Sequence, residues 1–226
     1  MKTEQHSTKL NRFTTLVALL DLLRRRKLVL RDPSTWEDKN DAKIIMEYKK
    51  KKGIQKLFAV CFCMGDETVH HWKTYADGVS GCCIEFDKSK LLTCFRGLRE
   101  VRCGKVIYKK MNEVENKTIV IDCIPFIKRW PYRFEEEFRI LWGGKTKGKV
   151  IDLDIDLNSI NKITLSQRMP NDIYTSTEKL LRSIINNLPI EINRSTLFEN
   201  SRWIKAFKRV RHNTYKARPC QEKKRS

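Results

Sequence analysis

The sequence predicts one α+β domain over residues 1–201, with a mixed, mostly antiparallel sheet flanked by helices, and a basic helix and tail over 202–226. Three observations predict it. At 226 residues with 40% hydrophobic side chains, the chain is long and apolar enough for one domain with a real core. Helical-period runs and β-rich runs interleave irregularly, without the strict alternation of a doubly wound fold. No segment repeats at a fixed period.

Over 14–27, Leu16, Leu19, Leu20 and Leu23 recur at helical spacing. Thr14 or Thr15 can cap the start, and Arg24, Arg25, Arg26 and Lys27 suit the negative end of the helix dipole. Residues 28–30 read as a short strand stopped by Asp32-Pro33, and 38–51 as a helix ending at Gly53. The β-rich runs 56–63 and 81–86 flank 68–76, a short helix that sets His71 and Trp72 beside Tyr75. A helix over 88–95 and a strand over 100–108 follow. The run 136–142, then Gly143-Gly144, a Lys/Gly-rich connection and 150–155 read as a hairpin with a long loop. A strand at 162–166, a helix at 175–187 and a strand at 191–194 complete the domain. In the tail, Trp203, Ile204 and Phe207 at helical spacing predict a docked helix followed by a frayed basic end.

Charge is the strongest compositional signal. Lys and Arg number 47 against 27 Asp and Glu, a net +20 that concentrates polyanions around the chain. Ten Lys or Arg stand against Glu222 alone in 202–226. The polar 1–12 stretch and an apolar run over 16–23 interrupted by Asp21 exclude a signal peptide, and that run is too short for a span of about 20 residues. Eight cysteines scattered over so long a chain do not make a disulfide framework, so reduced thiols and a cytoplasmic location are expected. Lys49, Lys50, Lys51 and Lys52, with Arg211, Lys216 and Arg218 of the tail, either end solvated helices or track a phosphate backbone. Trp203, Phe207 and Tyr215 among the tail cations favour nucleic acid as partner.

The sharpest local pattern is Glu135-Glu136-Glu137-Phe138-Arg139-Ile140-Leu141-Trp142. On a strand, Phe138, Ile140 and Trp142 face the core while Glu135, Glu137 and Arg139 share the other face. That face suits chemistry that builds positive charge on a sugar carbon, because a fixed carboxylate stabilises an oxocarbenium-like transition state. The alternative is a solvated edge of mutually neutralising charges. Cys61, Cys63, His70 and His71 could be drawn as a metal site. However, the adjacent Cys82 and Cys83 point to opposite faces, and no spacing is a standard zinc pair, so free core thiols and no metal are expected.

Several segments in order resemble the bacterial and phage family called domain of unknown function 2971. They are Arg12-Phe13-Thr14, the stretch from Leu30-Arg31-Asp32-Pro33 to Asp41, Cys61-Phe62-Cys63, His70-His71-Trp72-Lys73-Thr74-Tyr75-Ala76, Gly81-Cys82-Cys83-Ile84-Glu85-Phe86-Asp87 and Glu135-Glu136-Glu137-Phe138-Arg139. The family's layout is similar to the ADP-ribosyltransferase fold, with an early strand bearing Arg, a central strand bearing Ser and a late strand bearing Glu-x-Glu. The resemblance implies NAD as substrate: Arg12 on the pyrophosphate, Cys63 at the ribose-ordering position where relatives carry Ser, and Trp72 and Tyr75 as walls of the nicotinamide pocket. It also implies that Glu137 bonds the ribose and that Glu135 orients or deprotonates the acceptor. The expected function is ADP-ribosyl transfer to a nucleic acid or RNA-associated target, in phage defence or as a toxin. The alternative is a non-catalytic RNA- or DNA-binding protein of the same fold, and a metal-dependent enzyme built on the Cys/His cluster is a third reading.

Overall fold

Alternation along the strands sorts the main sheet into an apolar face and a face that carries the charged residues. The computed structural model describes residues 8–115 and 118–208. In chain order, β1 (Lys9–Thr15) runs into α1 (Leu16–Arg25) and β2 (Lys27–Leu30), then α2 (Lys39–Lys51), β3 (Lys56–Cys63), α3 (Val69–Tyr75) and β4 (Gly81–Asp87). There follow α4 (Lys88–Thr93), β5 (Val101–Lys105), β6 (Ile107–Lys109), α5 (Met111–Glu115), β7 (Ile127–Arg129) and β8 (Glu137–Gly144). The last elements are β9 (Ile151–Asp154), β10 (Ile160–Leu165), α6 (Asn171–Ile185), β11 (Glu191–Arg194) and α7 (Ser201–Lys208).

Seven strands form the main sheet in the order β11-β10-β4-β1-β3-β8-β5, with every neighbour antiparallel except the β10–β11 pair. This is the expected α+β class. Phe58, Val60, Phe62, Ile84, Phe86, Phe138 and Ile140 bury one face under α1 and α6. Leu19, Leu22 and Leu23 of α1 join that core, each worth about 1.5–3 kcal/mol when fully buried. Caps explain where helices begin: Thr15, one of the two predicted caps, accepts a hydrogen bond from the Ala18 amide, and Asp38, placed by the sequence at the helix start, accepts from the Asn40 and Asp41 amides. On the second face, Ile45 and Tyr48 of α2 pack on Leu57, and Trp72 and Ala76 of α3 pack on Cys83.

Several expectations are corrected. Residues 136–142 and 150–155 do not form a hairpin: β8 lies between β3 and β5, and β9 pairs with β2, matching Leu153 to Leu28. Period-two patterning fixes which face is buried but not which strand lies alongside. The strand expected over 100–108 divides at Val106, and β6 pairs in parallel with β7 away from the main sheet. The helix expected from 175 starts one turn earlier, directly after Pro170, whose fixed φ suits the start of a helix. The tail helix α7 forms but is not docked: Trp203 is 68% exposed and Phe207 62%. All seven cysteines among the described residues are free. No helix among the described residues is long and apolar enough to cross a membrane.

Candidate active site

The sheet is split at its centre. β1 and β3 are neighbours, yet only Asn11 and Cys63 pair across them. Beyond that point the strands part: β1 runs on to Thr15 paired with β4, and Ala59 of β3 exchanges hydrogen bonds with Arg31 instead. Consecutive residues from both strands, Asn11, Arg12 and Phe13 on one side and Cys61, Phe62 and Cys63 on the other, line a cavity of about 700 Å³ in the gap. That volume lies within the roughly 300–1,000 Å³ usual for small-molecule sites. Tyr75 of α3, Trp36, Tyr132, Glu135 and Glu137 are among its other wall residues.

Glu135 reaches the cavity by a turn rather than by strand alternation. Residues Trp130–Glu135 form a 3-10 turn with Pro131 in its first positions, and β8 starts only at Glu137. Between them Glu136 has φ of 43°, a left-handed conformation uncommon outside glycine. Its carbonyl accepts from the Met64 amide at 2.9 Å, and its side chain lies over Gly65, where an added Cβ would come within 2.7 Å of Oε2. This kink brings Glu135 and Glu137 to one wall.

Behind them lies a buried ion cluster. Arg139 uses all five of its N–H donors. Nε and Nη2 bond Glu137 at 2.5 and 2.9 Å, Nη1 and Nη2 bond Asp41 at 3.0 and 2.5 Å, and Nη1 also bonds the Pro125 carbonyl at 3.0 Å. Lys128 Nζ lies 2.6 Å from Glu135, 3.3 Å from Glu137 and 3.7 Å from Asp41. Tyr75 donates to Glu135 at 2.9 Å, and the Glu137 amide donates to the Tyr108 hydroxyl at 2.8 Å. Three carboxylates thus face two cations. Arg139 is wholly buried, so these charges are held by one another and not by water.

The charge states follow. Burial pushes the Glu137 carboxyl up, but Arg139 and then Lys128 outweigh it and hold the group down at about 2. Burial also works against the Lys128 ammonium, yet Glu137 and Glu135 raise it above its ordinary range. Both stay ionised at neutral pH. Burial pushes the Cys63 thiol up to about 12 and the Cys61 thiol well above its usual value, so neither is a thiolate nucleophile. Arg12 is opposed by burial and held at about 10, and its Nη1 is buried without a hydrogen-bond partner among the described residues. A half-buried guanidinium with one unpartnered, buried nitrogen beside a cavity suits an anionic ligand group.

No protein-family model and no curated protein matches the sequence. Solved structures similar to this one include the DarT of Thermus sp. 2.9 in complex with ADP-ribosylated ssDNA, at 11% identity and a TM-score of 0.44, covering 86% of this chain and 97% of that one. The DarT of Thermus sp. 2.9 in complex with NAD+ is similar at 10% identity and a TM-score of 0.43, covering 85% of this chain and 98% of that one.

Of the six residues that the sequence groups into one site, Arg12, Cys63, Tyr75, Glu135 and Glu137 line the cavity. Trp72 does not. It packs edge-on to Phe13 at 5.7 Å and donates its indole N–H to Glu67 at 2.8 Å. On a helix, His71 and Tyr75 share a side at four-residue spacing, while Trp72 is turned about 100° away, toward the sheet. The solvated-edge alternative for Glu135, Glu137 and Arg139 fails, because Asp41 of α2 and the Pro125 segment cover that face. Lys49, Lys50, Lys51 and Lys52 sit at the far end of α2, about 15 Å from Asp41 at 1.5 Å per residue. Lys51 is paired with Glu47 and Lys52 with Asp122. Arg211, Lys216 and Arg218 lie outside the described residues. Among the described residues, no group of three or more His, Cys, Asp or Glu is placed to hold a metal ion. Sequence reasoning misses Lys128 and Asp41 as site residues: Asp41 reads as part of a helix start and of a family-like segment without a role, and Lys128 carries no pattern.

Proposed function

We propose that the cavity binds NAD and that the chain transfers its ADP-ribosyl group to a nucleic acid, as a member of the domain of unknown function 2971 family. One observation carries this reading. Segments scattered over more than 120 residues, and singled out by the family resemblance, converge on one cavity with two buried carboxylates on one wall and, on another, a half-buried arginine whose Nη1 has no hydrogen-bond partner among the described residues. Arg12 supplies the charge that holds a pyrophosphate. Tyr75 and Tyr132 supply ring surface for a flat heterocycle. NAD supplies an activated ribosyl bond with a neutral leaving group.

The carboxylates divide the work by their bonding. Glu137 already accepts three hydrogen bonds from Arg139 and Lys128, so it stays ionised and favours positive charge developing on the sugar carbon. Among the described residues the Glu135 carboxylate accepts only from Tyr75 and Lys128, which leaves it lone pairs to orient the acceptor and take its proton.

The test is nicotinamide release and label transfer from NAD in the presence of DNA or RNA, comparing the full chain with Glu135→Gln. Turnover by the wild type that falls at least a hundredfold in the variant is the expected result. A folded wild-type protein that consumes no NAD overturns the reading. Salt-sensitive nucleic-acid binding without turnover leaves the non-catalytic alternative in its place.

A further inference from the structure

The turn that delivers Glu135 presents a second face to solvent. A 3-10 helix repeats every three residues, so residues three apart eclipse one another. Tyr132 and Glu135 fall on the side that lines the cavity. Trp130 and Arg133 fall on another side, and Phe134 stands beside them. Trp130 is 41% exposed and Phe134 67%. The Arg133 guanidinium lies 4.9 Å from the centroid of the Trp130 ring and 4.0 Å from that of Phe134. Lys110 Nζ approaches the same indole at 5.6 Å, and Arg129, which precedes Trp130 in the chain, is exposed.

Three features decide what this surface fits. Two large rings stay in water where burial would be favourable, and a guanidinium lies over both instead of the core. The side chains of Lys110, Arg129 and Arg133 form no salt bridge among the described residues, unlike the buried Lys128 and Arg139. The patch also adjoins the cavity, since Phe134 precedes Glu135 in the chain. An acidic protein would use the cations and leave the ring faces idle. Unpaired bases would use both, stacking on rings and guanidinium while their phosphates meet Lys110 and Arg129. Bases inside a duplex offer no free face.

We propose that Trp130, Arg133 and Phe134 form the stacking platform on which a single-stranded nucleic acid presents a base to Glu135. Its role as acceptor rests on the transferase reading, whereas its binding does not.

The test measures binding of the full chain to labelled single-stranded DNA, single-stranded RNA and duplex oligonucleotides at several salt concentrations, and to phosphatidylserine vesicles. Nicotinamide release is followed separately. The Trp130→Ala/Phe134→Ala double variant should weaken single-strand binding tenfold or more, with an unchanged melting temperature. Trp130→Phe should retain binding, because a ring face remains. Arg133→Gln and Lys110→Gln should flatten the salt dependence. Duplex should bind more weakly than either single strand, and the better of DNA and RNA names the natural strand.

Single-strand affinity of the double variant within twofold of wild type, or equal affinity for duplex, overturns the platform. So does a loss confined to vesicle binding. Platform-dependent binding without any nicotinamide release sinks only the transferase reading. Release that persists while single-strand binding ignores Trp130 and Phe134 sinks only the platform.

Discussion

Arg139 holds both carboxylate oxygens of Glu137 from two positions along the same strand face, Nε on Oε1 at 2.5 Å and Nη2 on Oε2 at 2.9 Å. The strand period makes them neighbours, and Asp41 on the other side of the guanidinium makes the pair a closed unit.

Glu137→Gln therefore reports on folding as well as on chemistry. An exposed strand face would tolerate the change, but here it leaves a buried guanidinium short of a charge. The expected loss is about 3 kcal/mol, the low end for breaking a buried pair because Asp41 stays. Glu135→Gln should cost only about 1 kcal/mol, since Lys128 keeps Glu137 and Asp41. Denaturant melts of the two variants check the ranking. Equal losses would mean that the Arg139 clasp contributes nothing special.

Acid should unfold the protein through the same group. The Glu137 carboxyl lies at about 2 in the folded chain against an ordinary 4.5, so the folded state binds its proton less readily than the unfolded one. Its stabilisation is complete above about pH 4.5 and is lost as pH falls toward 2. Melting temperature against pH should show this fall in the wild type and a shallower one in Glu137→Gln.

Arg12 should trade stability for binding. Burial disfavours its charge and its Nη1 has no hydrogen-bond partner among the described residues, so Arg12→Met removes a cost to folding. Its melting temperature is expected to equal or exceed that of the wild type, while NAD affinity falls about tenfold or more, as for a lost charged hydrogen bond. Calorimetric titration and thermal melts on one preparation would separate the two effects. A destabilised variant with unchanged NAD affinity contradicts the assignment.

Trp72 and Tyr75 should part company. Trp72→Ala opens a cavity against Phe13 and Cys83 and should cost about 3–5 kcal/mol. Tyr75→Phe removes one hydrogen bond to Glu135 and should cost about 1 kcal/mol, with its larger effect on NAD turnover. Reversed rankings in melts and turnover assays would return Trp72 to the cavity wall.

These residues mark how far the sequence can be read. The face shared by Glu137 and Arg139 is visible in a period of two, and the caps at Thr15 and Asp38 are visible as residue types. The kink at Glu136 is not: nothing in three successive glutamates announces a left-handed middle residue, because the Met64 amide that holds it comes from 72 positions away. Lys128 is hidden for the same reason. A lysine between Ile127 and Arg129 becomes an ion-cluster member only when the 121–135 connection folds over the sheet. Strand partners also stay hidden, as β9 shows by choosing β2 over β8.

The lone Asn11–Cys63 rung has a mechanical consequence. It joins a four-stranded plate, β11-β10-β4-β1, to a three-stranded plate, β3-β8-β5. On the apolar side the plates are held by side-chain packing such as Phe62 against Phe86, at 5.7 Å across the join. Such contacts are non-directional and survive small rotations, whereas ladder bonds do not. Few backbone bonds therefore hold the join, and its cohesion rests on that packed side.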